Sequence, residues 1–324
     1  MIKIIYFIFC FSTVAYCQLY ITPEGYLRDS SFTTFSAFQK EVVNYPHIKI
    51  ANADSINDIS ISRNLVYKKT VSRHLRFDLY RRDSVDQRQP AIILIHGGGW
   101  RSGDKSQNEP LAKVLASSGY ISVSVEYRLS PEAGYPAAIH DLKSMVRFLR
   151  NHSSEFNIDS TRIGVIGFSS GGHLAAFLGS TNNNSKFEGV DDYLQHSSYV
   201  NAVVDVDGIL DFTHPGESAK DQDVTKPSVG KLWLGFTFLE NQKRWIEASP
   251  LNYIDKNMPP TLFLNSGIER FHAGRDDAIK ILRALGTPVS VVTIGNCPHT
   301  FWIFEPWFEQ SCFEILHFLD KIFQ

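Results

Sequence analysis

The feature that most restricts what this chain can become is a rhythm of short apolar runs alternating with stretches of helical period. "AIILIHG" (91–97) is a continuous apolar run rich in isoleucine, the pattern of a strand buried on both faces. "YISVSVEY", "RIGVIGF", "VNAVVDVDGIL", "TLFLNSG" and "VSVVTIG" read as further strands. "LVY" and "LRFDLY" precede them, the second alternating with period two. Between the strands lie helices near Glu109–Ser118, Pro136–Asn151, Gly172–Leu178 and Asp277–Leu285, with a last one from about Phe308 to Phe323. In the second helix Ala137, Leu142, Met145, Val146 and Leu149 form one stripe. Such alternation gives an α/β fold, with a mostly parallel central sheet and helices on both faces. The chain has 324 residues, 43% of them hydrophobic, enough for one large core, and residues 65–324 read as one domain.

Other stretches stand outside that rhythm. "MIKIIYFIFCFSTVAYCQ" has Lys3, an apolar run from Ile4 to about Val14, and small residues before a cut after Cys17. That is the plan of a signal peptide, so residues 1–17 are expected to direct export, secreted or periplasmic, and then to be removed. The run is shorter than the ~20 residues a spanning helix needs, and the bulky Tyr16 suits a lipoprotein cut poorly. No membrane association is expected afterwards. Residues 18–64 read as an irregular segment. Residues 211–250 are polar and glycine-rich apart from "KLWLGFTFL", and they form either a lid or a plain surface excursion. Cys297 and Cys312, left after export, either pair in an oxidising compartment or stay as two buried thiols. A net charge of −2 gives no sign of a nucleic-acid partner.

"GFSSGGH" (167–173) carries the Gly-x-Ser-x-Gly pattern of a sharp strand-to-helix elbow. It follows "RIGVIGF" and opens a helix, the context such an elbow requires, which makes Ser169 the candidate nucleophile. His299 in "NCPHTFW" is the candidate base. Parallel strands end at one edge, so the loops that follow them meet there despite their separation in sequence. "HGGGW" (96–100) follows another strand, and its glycines let main-chain N–H groups face a substrate oxygen. Gly98 and Gly99, with the Ser170 N–H, are the expected oxyanion donors. Three features after three strands, in consistent order, point to a serine hydrolase working through an acyl-enzyme. His96 and His173 read as loop braces, and His140 and Asp141 as structural. His272 lies near the acid loop and either plays a structural part or touches substrate. No cluster of His, Asp or Glu has ligand spacing, so neither metal nor cofactor is expected.

With these residues in place, the chain from roughly Leu65 to its end resembles the α/β-hydrolase superfamily. More narrowly, it resembles the secreted esterase branch named for BODIPY-feruloyl-ester hydrolysis, BD-FAE. "HGGGWRSGDK", "EYRLSPEAGYPAAIHDLKSMVRFLRNH", "DSTRIGVIGFSSGGHLAAFLGS" and "TPVSVVTIGNCPHTFW" carry the resemblance. It implies an α/β-hydrolase fold with a small insertion before the acid-bearing strand, and activity on carbohydrate esters, acetyl and feruloyl esters among them. "RFHAGRDD" with "PHTFWIFEPWF" is similar to pectin acetylesterases. The family places an aspartate shortly after the strand that precedes the histidine's strand. The matching position here is Glu269 in "NSGIER", with Asp276 as the alternative acid. Asp277, Asp207 and a bare Ser–His pair are the remaining options. Asp276 and Asp277 also suit the start of the next helix.

The expected substrate is an acetylated plant polysaccharide or oligosaccharide such as pectin or xylan. Trp100 adjoins the oxyanion loop, and Phe301, Trp302, Phe304 and Trp307 follow His299. These rings either line a sugar cleft or fill the core under the last helix. Arg270 and Arg275 either meet uronate carboxylates or make surface pairs. Other readings are a feruloyl or short-chain carboxylesterase or lipase, and a prolyl-oligopeptidase-like peptidase, for whose propeller the chain has no room. A binding protein on the same fold would usually have lost the serine or the histidine.

Overall fold

The strand β3 (Gln89–Ile95) shows why its apolar run is unbroken: it feeds two cores at once. Ala91, Ile93 and Ile95 enter one core, and Ile92 and Leu94 enter the other. A strand with helices on both faces has no solvent side for polar residues to occupy. The computed structural model describes residues 19–83, 87–190, 193–219 and 227–324. The remaining sheet strands are β1 (Ile59–Lys69), β2 (His74–Arg82), β4 (Ile121–Val125), β5 (Ile158–Phe168), β6 (Ala202–Val206), β7 (Thr261–Ser266) and β8 (Val289–Ile294). They are ordered β1-β2-β4-β3-β5-β6-β7-β8. β2 runs antiparallel to both neighbours, and every pairing from β4 across to β8 is parallel.

The helices α1 (Thr34–Glu41), α2 (Glu109–Ser117), α3 (Ala137–Asn151), α4 (Ser170–Ser180), α5 (Val229–Leu234), α6 (Gln242–Glu247), α7 (Arg275–Leu285) and α8 (Trp307–Phe323) follow in chain order. Leu142 and Met145 of α3, Leu174 of α4 and Leu282 of α7 fill one core. Leu111 and Leu115 of α2, and Ile315 and Leu319 of α8, fill the other. The expected α/β architecture is present, and the doubly covered sheet brings the ends of β3, β5, β6, β7 and β8 to one edge.

The fold corrects the sequence reading at its margins. β1 begins at Ile59, inside the stretch read as irregular, because "ISISRNLVYKK" lies at the sheet edge and its register shifts between Ser62 and Leu65. The segment before it is built onto the domain. Thr33 and Ser36 cap α1 reciprocally, and Lys49–Ile50 pairs antiparallel with Phe304–Glu305. Cys297 and Cys312 are both free and buried, not bridged. Burial pushes each thiol up to about 12, so both behave as small apolar groups of the α2/α8 core. The leader-like residues 1–17, with Cys10 and Cys17, lie outside the described residues, as do 220–226 of the stretch read as a lid.

Candidate active site

β5 ends at Phe168, and Ser169 turns the chain into α4 with φ 53° and ψ −117°, a conformation L-residues rarely adopt. The turn is that sharp because backbones nearly touch: a Cβ at Gly171 would collide with the Ile95 and His96 carbonyls. Ser169 N–H donates to the Val206 carbonyl at 2.7 Å, which ties the elbow to the end of β6.

The structure brings Ser169 and His299 together: Oγ lies 2.9 Å from Nε2. The third member is not the expected one. Nδ1 of His299 lies 2.9 Å from Oδ2 of Asp207, just past β6. With Nδ1–H donated to that carboxylate, Nε2 is left to accept the serine proton. Asp207 is buried and sits at φ 53°, and its Oδ1 accepts from Ser266 N–H (2.8 Å) and Asn265 Nδ2 (3.3 Å). The loop after β7 thus supplies the donors that aim the carboxylate rather than the carboxylate itself. Glu269 is exposed on a helical turn (Glu269–His272). Asp276 pairs with Arg275, and Asp277 with Lys280, in the first turn of α7, where carboxylates offset the helix dipole. The insertion 211–250 therefore follows the acid instead of preceding its strand.

Asp205, two residues before Asp207, is fully buried and accepts from Gly208 N–H at 2.7 Å. Burial, with the charge of Asp207 adding to it, pushes its carboxyl up to about 7.

On the other side of the serine, Gly98 (φ 129°) and Gly99 (φ 62°) open a turn in which Gly98 O accepts from Ser102 N–H at 2.9 Å. A side chain at Gly98 would strike the Ser102 carbonyl. Among the described residues, the Gly98, Gly99 and Ser170 N–H groups donate to no acceptor, as a site for developing negative charge requires.

Trp100 does not face a cleft. It is 5% exposed, stacks on Trp233 at 5.0 Å, and donates from Nε1 to His173 Nδ1 at 3.1 Å. Its ring turns under the oxyanion loop because Trp233 and Phe212, from the insertion, close an aromatic core there. The insertion also places Val229 where a side chain added at Gly99 would touch it. Trp302 meets His299 edge-on at 5.3 Å and stacks on Phe168. With Phe168, Ile50, Asn52, Asp54 and Leu111 it lines a cavity of about 230 Å³ beside the site. Arg270 pairs with Glu217 (2.8 Å), and Arg275 reaches Asn265 Oδ1 (3.2 Å) as well as Asp276. His272 bonds through Nε2 to the Ser266 carbonyl at 2.8 Å, so it braces the loop. Among the described residues no group of three His, Cys, Asp or Glu is placed to hold a metal ion.

His96 and His173 are the braces expected. His96 stacks on Tyr127 at 4.5 Å, and His173 Nε2–H donates to the Ala248 carbonyl at 2.8 Å. Burial lowers both from 6.5 to about 4. Between those values the unfolded chain binds protons that the fold excludes. Their contribution is complete above pH 6.5 and is lost as pH falls towards 4. Asp205 acts the other way: it keeps a proton the unfolded chain has released, and loses that advantage as pH rises through 7. Two protons against one leave a net loss on the order of 1 kcal/mol per pH unit between pH 6.5 and 5. Urea unfolding at pH 5, 5.7 and 6.5 checks it; stability that is flat or rising towards acid would contradict neutral buried imidazoles.

Sequence reasoning ranked Asp207 low and missed Phe271, Asn265 and Ser266. The available signal was "VVDVDGI": an aspartate followed by glycine at the tip of a strand whose end faces the elbow.

The chain is similar to proteins described as esterases. The BD-FAE family model matches residues 77–272. The probable carboxylic ester hydrolase LipM of Mycobacterium tuberculosis is 28% identical over 242 residues, 74% of this chain and 53% of that protein. Esterase LipC of the same organism is 29% identical, over 64% of this chain and 49% of its own length. The chain thus spans about half the length of the curated relatives it matches. A truncated carbohydrate esterase from gut microbiota superposes with a TM-score of 0.70 at 24% identity, covering 84% of this chain and all of that one. A bifunctional GH43–CE protein of Bacteroides eggerthii gives a TM-score of 0.68 at 27% identity, over 81% of this chain and 38% of that one.

Proposed function

The chain belongs to the BD-FAE family, and from that premise we propose that it is an exported serine carboxylesterase that removes acetyl groups from a plant polysaccharide such as pectin or xylan. The observation that carries the chemistry is the line Ser169–His299–Asp207 beside the Gly98–Gly99 turn. His299 Nε2 takes the serine proton as Oγ attacks the ester carbonyl. Asp207 offsets the imidazolium that forms, and the Gly98, Gly99 and Ser170 amides receive the oxyanion. The same imidazolium protonates the departing alcohol. Water, deprotonated by the neutral imidazole, then releases the acid by the same route.

The carbohydrate reading is supported by the two solved structures named above, one a carbohydrate esterase and one a bifunctional GH43–CE protein. The cavity beside the site supports it too: Trp302 and Phe168 offer apolar walls, and Asn52 and Asp54 a polar rim. Arg270 and Arg275 are already engaged, so they do not argue for a uronate over a neutral sugar.

Acetate release from acetylated pectin and acetylated xylan, assayed beside an aryl acetate, tests the proposal. Release from at least one polymer is expected, by a chain recovered outside the cell and beginning at Gln18. Release from neither, with fast cleavage of feruloyl or longer acyl esters, overturns the polysaccharide reading while leaving the esterase reading intact.

A further inference from the structure

The loop after β7 carries Glu269 at the position matching the family's acid, but it is Phe271, two residues on, that meets His299. Phe271 stacks on the His299 imidazole with centroids 3.5 Å apart and planes 5° from parallel. The Arg270 guanidinium lies over the same phenyl ring at 5.1 Å, and its Nε donates to Glu217 Oε1 at 2.8 Å. Glu217 sits on a helical turn (Pro215–Ser218) of the chain that leaves Asp207. The two segments are joined again where Leu210 N–H donates to the Ala273 carbonyl at 2.8 Å.

Hydrogen bonds at Nδ1 and Nε2 define a line through the imidazole, but they leave the ring able to tilt about that line. A flat surface on one face removes the remaining freedom. We propose that Phe271 is a positioning residue for His299, its ring fixing the imidazole plane between Ser169 and Asp207, and that the Glu217–Arg270 pair holds Phe271 in turn. The inference rests on the esterase reading of Ser169 and His299. The face of an aromatic ring also attracts a cation, so the contact strengthens as the imidazole becomes imidazolium and favours the transition state over the ground state. Glu217 offsets the Arg270 charge, which would otherwise oppose that gain. Asp207, just past β6, orients Nδ1, and the loop after β7 carries the ring that lies on the imidazole face.

Phe271→Leu keeps the bulk and removes the flat face. Its turnover of aryl acetate is expected to fall about ten-fold with KM within two-fold of the parent, as for a small misalignment of a reacting group. The rate of labelling by a fluorophosphonate should fall by the same factor, because the same imidazole activates Ser169. Phe271→Tyr should restore both to within about two-fold, and Glu217→Gln should lower turnover about three-fold. An unchanged turnover in Phe271→Leu, equal impairment in the Leu and Tyr variants, or a loss confined to KM overturns the positioning role. An unchanged Glu217→Gln overturns the part assigned to the ion pair. Failure of the esterase reading is separately visible, as parent protein that neither labels nor hydrolyses the ester.

Discussion

Ser169→Ala is expected to lower hydrolysis of an aryl acetate by about 10⁶-fold and to abolish covalent labelling by a fluorophosphonate, with the fold retained. The magnitude follows from the geometry. Ser169 Oγ is hydrogen-bonded to Nε2 of His299, and its backbone is bent to φ 53° to hold it there. Without the oxygen no acyl-enzyme forms. What remains is catalysis by binding and by the Gly98, Gly99 and Ser170 amides, worth about 10³-fold over water. The substitution deletes one atom and leaves the Ser169 N–H bond to Val206 in place, so the melting temperature should hold. Labelling that persists in Ser169→Ala would place the nucleophile elsewhere and end the proposed mechanism.

The second large effect separates two carboxylates. Asp207→Asn is expected to reduce turnover by about 10⁴-fold, because an amide facing Nδ1 forces the wrong imidazole tautomer and cannot stabilise its cation. Asparagine can still accept from the Ser266 N–H through Oδ1, so the loss should appear in kcat without collapse of the fold. Glu269→Ala should change turnover by no more than about two-fold, since that side chain is exposed and surface substitutions rarely matter. Steady-state kinetics of the two variants decides it. A severe Glu269→Ala beside a mild Asp207→Asn would return the acid to the loop after β7.

These two experiments bear on residues that differed in how easily they could be read. The elbow was legible because its chemistry is local: glycines two places either side of a serine, a buried strand before it and a helix after it. The glycine turn at Gly98 was legible for the same reason. The acid was not. Asp207, Glu269 and Asp276 all follow parallel strands that end at one edge, and separation along the chain says nothing about which carboxylate reaches Nδ1. Asp207 lies 2.9 Å from it, while Asp276 is taken up by Arg275. Trp100 failed in the same way, since an aromatic residue beside a catalytic loop can turn outward to substrate or inward to Trp233. Phe271 gave no signal at all, because one phenylalanine in a loop looks like any other until its neighbour is known.

What the sequence determined by itself was the covered parallel sheet and the serine elbow, because residue periodicity and glycine sterics act over a few neighbouring positions. Tertiary structure alone decided which carboxylate meets His299, which ring lies on it, and which tryptophan is withdrawn into the core. Those choices turn on distances of a few ångströms between segments up to about 130 residues apart, and they are set only when the strands pack.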